Sequence, residues 1–237
     1  MYTGPHIITD GLVLALDAGS ARSYPGSGTT WYDLSGNGND VTITGPTWNS
    51  TGYFAFDGTN DYCSTSSNLN LTSYNSVVVQ VGIKTNNTNS SMFAFEHTIN
   101  WNSNAGGFGL ALHSNGSGNS PNILHTNHNT QAGKNHLFEI NTDWSIHTNV
   151  FSKIVDATGR LAYVNGNLVP FAANNGYTTS TNTGNGSFAN AIFYIGSRGG
   201  TGVYLNGDIA FVRVYGFKLP ATEILQNYNA LKNRFGL

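Results

Sequence analysis

The chain has 237 residues, of which only 9% are charged, and 10 Lys and Arg against 12 Asp and Glu leave a net charge of -2. An average soluble domain carries about 25% charged residues, so this surface is solubilised by neutral polar groups and offers no field to hold a polyanion or an anionic membrane. Nucleic-acid binding is thereby excluded as a main role, and no segment approaches the roughly 18 apolar residues of a membrane helix, whereas 39% hydrophobic and 12% aromatic residues are enough for a folded core in a single domain over 1–237.

The first apolar run, 12–16, is short, has no basic residues ahead of it and is closed by Asp17, so it reads as a strand and not as an export signal. Further short runs of β-branched and aromatic residues follow, separated by Gly, Asn and Ser clusters. They predict strands over 53–56, 76–83, 92–95, 108–113, 136–140, 144–156, 161–164, 191–195 and 208–215. Ten strands suit an all-β, two-sheet antiparallel sandwich. Asn165-Gly166 between two apolar runs marks a hairpin, because both residues tolerate positive φ. Segments 85–91, 114–134 and 174–187 are rich in Asn, Gly, Ser and Thr and read as long exposed loops. The lone Cys63 rules out an intramolecular disulfide and a cysteine-rich zinc site. At the C-terminus Ile224, Tyr228, Leu231 and Phe235 fall on one helical stripe, with Pro220 and Glu223 at its start, Lys232 and Arg234 in its last turn and Gly236 beyond. This short helix is expected across one end or edge of the sandwich, near strand 211–215.

Four stretches share a pattern: Gly11-Leu-Val-Leu-Ala-Leu-Asp-Ala18, Trp31-Tyr-Asp-Leu-Ser-Gly-Asn-Gly-Asn39, Phe54-Ala-Phe-Asp-Gly-Thr-Asn-Asp-Tyr62, and Gly207-Asp-Ile-Ala-Phe-Val-Arg-Val-Tyr215 followed by Glu223-Ile-Leu-Gln-Asn-Tyr-Asn-Ala-Leu-Lys232. In this order they resemble the concanavalin A-like, laminin-G-like jelly-roll domain, in the wording found in structural proteins of marine tailed phages, cyanophages above all. Trp144 and the Tyr163–Gly166 hairpin match as well, while 84–142 departs from the pattern. The residues themselves read as scaffold: Asp33 and Ser35 suit side-chain capping of the Gly36-Asn37-Gly38 turn, and Phe54 and Phe56 line one face of a strand. Trp31, Trp48 and Trp144 read as core or edge packing.

Glycoside hydrolysis needs two carboxylates flanking the bond, and the Glu-x-Asp-x-(x)-Glu strand of jelly-roll hydrolases is missing. Only Glu96, Glu139 and Glu223 exist, the last on the helix. Glu96 and Glu139 could meet across a sheet, which keeps a glycoside hydrolase as the minor alternative; nucleophile-elbow and phosphate-loop motifs are lacking. His125-Thr-Asn-His128 has no helix to fix it as a metal pair. The resemblance implies a Ca2+ ion at the rim of the fold, with Asp208 as its carboxylate and carbonyl donors near Asp17 and the Asp57-Gly58 turn. The other reading of Asp208 is a cap on the Asn206-Gly207 turn. Trp101, flanked by Asn100 and Asn102, has the composition of a sugar platform, and His125 and His128 lie in a neighbouring loop; these five are the candidate ligand-binding residues.

The sequence thus points to a non-enzymatic jelly roll exposed on a virion surface as a capsid decoration, knob or fibre protein, assembled in the host cytoplasm. Its expected partners are other virion proteins and host surface polysaccharide, with multiple copies or a homo-oligomer on the particle. The alternative is a carbohydrate-binding module or adhesin of a larger system.

Overall fold

The computed structural model describes residues 5–86, 92–99, 106–112, 122–127, 130–135, 142–153, 161–170 and 187–237, with 122–127 and 130–135 described by their backbone pairing. Two antiparallel sheets carry the chain. Sheet A runs β15 (Asn167–Val169), β14 (Leu161–Val164), β13 (Ser145–Ser152), β8 (Ser76–Thr85), β18 (Asn206–Tyr215), β5 (Tyr53–Asp57), β4 (Thr47–Asn49). Strand β1 (Leu12–Asp17) joins the same side of β18 as β5 but further along, opposite Phe211 to Tyr215. Sheet B runs β12 (Thr130–Asn135), β11 (Asn122–Asn127), β10 (Phe108–Leu112), β9 (Met92–His97), β17 (Phe193–Ile195), β6 (Tyr62–Thr65), β3 (Val41–Thr44), β2 (Thr30–Trp31). A two-residue pair, β7 (Leu69–Asn70) with β16 (Asn190–Ala191), stands apart.

Strand alternation places one face of each sheet in a shared core. Val77, Val79, Val81, Ile209, Val212 and Phe151 of sheet A meet Cys63, Phe95, Phe108, Phe193 and Ile195 of sheet B. Aromatic rings bridge the sheets: Phe108 lies 4.6 Å from Phe151, and Trp31 lies 4.8 Å from Phe54. The Asn165-Gly166 hairpin forms as expected, with φ of 51° and 76° at its two tip residues.

Segment 114–134, expected as loop, instead contains the β11–β12 hairpin, whose register runs from Asn122 opposite Asn135 to Asn127 opposite Thr130. Backbone pairing needs no apolar side chains, so a polar hairpin leaves no hydrophobic alternation to read. The expected strand 136–140 lies outside the described residues.

Helix α1 (Ala221–Phe235) forms where the stripe predicts, closed by Gly236 at φ 69°. It lies on the outer face of sheet A, not across an end or edge. The cause is on the sheet: Ala210 and Phe211 cluster with Ile146 and Leu231, and Val78, Val150 and Tyr215 with Ile224, an apolar outer face that needs a cover. Two polar ties fix the helix. Asn227 accepts from the Ile8 N–H at 2.8 Å and donates to the Tyr215 hydroxyl, and Arg234 reaches the Asp17 carboxylate at 2.7 Å and the Gly52 carbonyl at 2.6 Å.

The Asp33–Asp40 motif caps the free edge of β1. Asp33 accepts from the backbone N–H of Ala15, Ser35 and Asn39, while Asn37 and Asn39 donate to the carbonyls of Leu12 and Val13. Side chains thus replace the strand that would otherwise pair there, which satisfies the edge and protects it. This motif is scaffold, as its turn chemistry indicated.

Candidate functional site

In sheet B the alternation that buries Cys63, Phe193 and Ile195 turns Tyr62, Ser64 and Tyr194 outward. Strand register then builds a row across the outer face: Thr42, Ser64, Tyr194, Glu96 and Gly109 stand opposite one another in turn. Thr42 is exposed, Ser64, Tyr62 and Tyr194 are half-buried, and Glu96 is 1% exposed. The Tyr62 and Tyr194 rings stand 6.3 Å apart.

Loop 197–204 lies over this row. It is tied to the sheet by the Gly196 N–H to the Ala94 carbonyl and by the Phe93 N–H to the Val203 carbonyl, both 3.0 Å. Internally Arg198 bridges Gly202, the Gly200 N–H donates to the Ser197 hydroxyl, and the Tyr204 hydroxyl donates to the Gly200 carbonyl. Gly200, at φ 70°, rests on the tyrosine pair so closely that a Cβ would come within 3.1 Å of Tyr194 and 3.3 Å of Tyr62. Only glycine meets both the conformation and the approach.

Beneath the loop the Glu96 carboxyl is pushed up to about 7 by burial, against the opposing pull of the Gly199 N–H and the Arg198 charge. Its Oε2 has no hydrogen-bond partner. The Tyr194 hydroxyl is raised by burial first, then by Tyr62 and Glu96. The next residue, His97, turns the opposite way into the core, where its ring stands 5.1 Å from Phe108 and Nε2 donates to the Leu69 carbonyl at 2.9 Å. Burial lowers that imidazole to about 4. The outer face therefore offers two half-buried tyrosine rings and the Thr42 and Ser64 hydroxyls, with the Arg198 loop above them and the Glu96 carboxyl buried beneath it. Such a set can stack on an apolar ring face and exchange hydrogen bonds with hydroxyl groups. As a hydrolase site it is incomplete among the described residues: the charge that acts on Glu96 is Arg198, and Glu139, the expected second carboxylate, lies outside them.

Of the residues singled out from sequence, Asn100, Trp101, Asn102 and His128 lie outside the described residues. His125 falls in β11, opposite Phe108 on one side and Ala132 on the other. Asp208 is the third residue of β18, near the head of the last long strand. It sits within β18 between Ala55 and Lys84, buried, with the Lys84 ammonium 3.9 Å away. Burial raises its pKa and Lys84 lowers it. Asp17 of β1 stands opposite Phe211, three residues further along β18 than Asp208 and about 10 Å away at the usual strand rise, and its carboxylate is taken by Arg234 and flanked by Arg213. Among the described residues no group of three or more His, Cys, Asp or Glu side chains is placed to hold a metal ion. The Asp208 and Asp17 carboxylates are thus each engaged by ammonium or guanidinium groups.

The sequence model of the concanavalin A-like lectin/glucanases superfamily matches residues 57–225, more than half of the chain. The chain belongs to this superfamily. Among curated proteins there is no match. Solved structures with the superfamily's jelly roll are similar at low identity. The binding domain of botulinum neurotoxin DC, solved with rat synaptotagmin II, superposes with a TM-score of 0.66 at 16% identity, covering 94% of this chain and 52% of that one. A Trypanosoma rangeli sialidase gives 0.66 at 15% identity, covering 98% and 35%. Domain 4 of AbnA, an extracellular GH43 arabinanase from Geobacillus stearothermophilus solved with arabinotriose, gives 0.65 at 15% identity, covering 92% and 98%. This superfamily member thus spans about half of the toxin binding domain and about a third of the sialidase, and what the three share with it is the fold.

Of the outer-face residues only Glu96 was singled out from sequence, as a candidate hydrolase carboxylate; the tyrosine pair was not. Tyr62 and Tyr194 are 132 positions apart and meet only through β6–β17 pairing. The available signal was the Ser197-Arg-Gly-Gly-Thr-Gly202 run, where one of few charges sits among three glycines.

Proposed function

We propose that this superfamily member is a non-catalytic recognition module that binds glycan on the outer face of sheet B. The observation that carries the reading is the half-buried Tyr62–Tyr194 pair, with Tyr194 in one row with Thr42 and Ser64 and Tyr62 two positions along β6 on the same face, beside Arg198. Aromatic rings stack on the apolar faces of sugars while hydroxyl and guanidinium groups read their hydroxyls. Domain 4 of AbnA, of the same fold, was solved with a sugar bound, which supports the chemistry. Asn100, Trp101, Asn102 and His128, with His125 of β11, are proposed as a second set of contacts.

A glycan array probed with the full chain tests this. Tyr62→Ala and Tyr194→Ala are expected to weaken binding at least about tenfold, a loss of roughly 1.4 kcal/mol, with little change in melting temperature because both rings are half-exposed. Trp101→Ala is expected to do the same, and a large loss of stability with binding intact removes it from the contacts. A flat response to every sugar overturns the reading.

The resemblance of the four motifs to structural proteins of marine tailed phages favours a setting on a virion surface, in many copies beside other virion proteins and facing host polysaccharide. Mass spectrometry of purified particles decides it: recovery of the chain supports the setting, and its absence defeats it.

A further inference from the structure

The buried Glu96 carboxyl and the loop above it form a unit that the recognition surface alone does not explain. Gly199 lies directly over the Glu96 carboxyl, where a Cβ built on it would stand 3.9 Å from Oε2, and Gly196, Gly199 and Gly200 all hold positive φ, the permissive backbone on which a loop can hinge. Val203 sits at φ 50°, a conformation strained for a β-branched side chain, which stores energy in the closed form. The Oε2 atom, buried and without a partner, leaves the closed form with an unsatisfied acceptor that an incoming hydroxyl would satisfy.

We propose that loop 197–204 is a latch closed on Glu96, and that it lifts to admit a glycan whose hydroxyls donate to the freed carboxylate beside Tyr194. The glycan half of this rests on the recognition function proposed above; the latch does not.

The charged and titratable groups facing Glu96 are Arg198 from the loop and Tyr194 from β17, with Tyr62 of β6 next to it. Strand β10 brings Gly109, and His97 faces the core. In the closed form the carboxyl titrates at about 7, against an ordinary value of 4.5. Ionisation therefore favours the open form: opening becomes easier as pH rises from about 4.5 and levels off above about 7.

Hydrogen exchange of peptides spanning 197–204, corrected for the intrinsic pH dependence of amide exchange, reads the latch without any ligand. Between pH 5 and 7.5 the opening equilibrium of the wild-type chain is expected to rise at least about tenfold, and in Glu96→Gln it is expected to be flat. A flat wild-type profile, or an equal slope in Glu96→Gln, overturns the latch, and the wild-type profile decides alone if the variant does not fold. Titration of arabinotriose at pH 5 and 7.5, alongside the array, reads the other half. A pH-dependent loop with no sugar bound defeats the glycan reading and keeps the latch; a sugar bound over a pH-flat loop defeats the latch alone.

Discussion

Single ionisable side chains set how this protein responds to pH. Burial holds the His97 and His147 imidazoles at about 4, below their usual 6.5. Above pH 6.5 both are neutral whether folded or not; as pH falls through 6.5 toward 4 the unfolded chain takes up protons that the folded one refuses, and stability is lost. Glu96 acts oppositely. Its raised value contributes stability that is full below 4.5 and is lost as pH rises through 7. Each shift is worth roughly 3 kcal/mol, so the two imidazoles outweigh the one carboxyl. Stability is expected to rise between pH 5 and 6.5 in the wild-type chain and to become nearly flat in His97→Gln, as read from urea midpoints. Asp208 carries a second expectation at this scale. With Lys84 as its neighbour, calcium and chelator should give the same melting temperature; a chelator-sensitive shift abolished by Asp208→Ala would restore the ion.

Among the elements, β1 shows how a polar loop replaces a strand. Asp33 alone accepts three backbone N–H groups and the Ser35 hydroxyl, so Asp33→Ala strips the cap from the edge of β1 and leaves part-buried donors unpaired. A loss of about 2–4 kcal/mol is expected in chemical unfolding. The helix is held by its apolar stripe and by one αL glycine. Gly236→Ala forces a side chain into φ 69° and is expected to cost about 1 kcal/mol, seen as early fraying of the helix on heating.

The whole molecule depends on rings that reach from one sheet to the other. Phe95 contacts Phe108 and Phe193 within sheet B and meets Phe151 of sheet A edge-on at 6.4 Å. Phe95→Ala opens a cavity at the centre of both layers, with an expected cost of about 3–5 kcal/mol. The outer face, where Tyr62 and Tyr194 stand, is insulated from that core by the backbone of sheet B. Recognition can therefore vary there while the fold stays, and the two classes of variant should separate cleanly when melting temperature is plotted against glycan affinity.

Alternating hydrophobes, the Asn165-Gly166 turn and the Ile224 to Phe235 stripe are local patterns, and by themselves they determined an all-β sandwich with one closing helix. The Asp33 to Asn39 wording likewise announced a side-chain-capped loop, because short polar side chains bond backbone a few residues away. Only the tertiary structure decided what lies far apart in sequence. Residues 62, 96 and 194 become neighbours by strand register, and register is set by global burial that no short window contains. The same holds for Asp208, whose partner Lys84 is chosen by β8–β18 pairing, and for the helix, whose resting place follows from the outward rings of Phe211 and Tyr215. Local chemistry thus fixed the elements, while long-range packing fixed the surface on which they act.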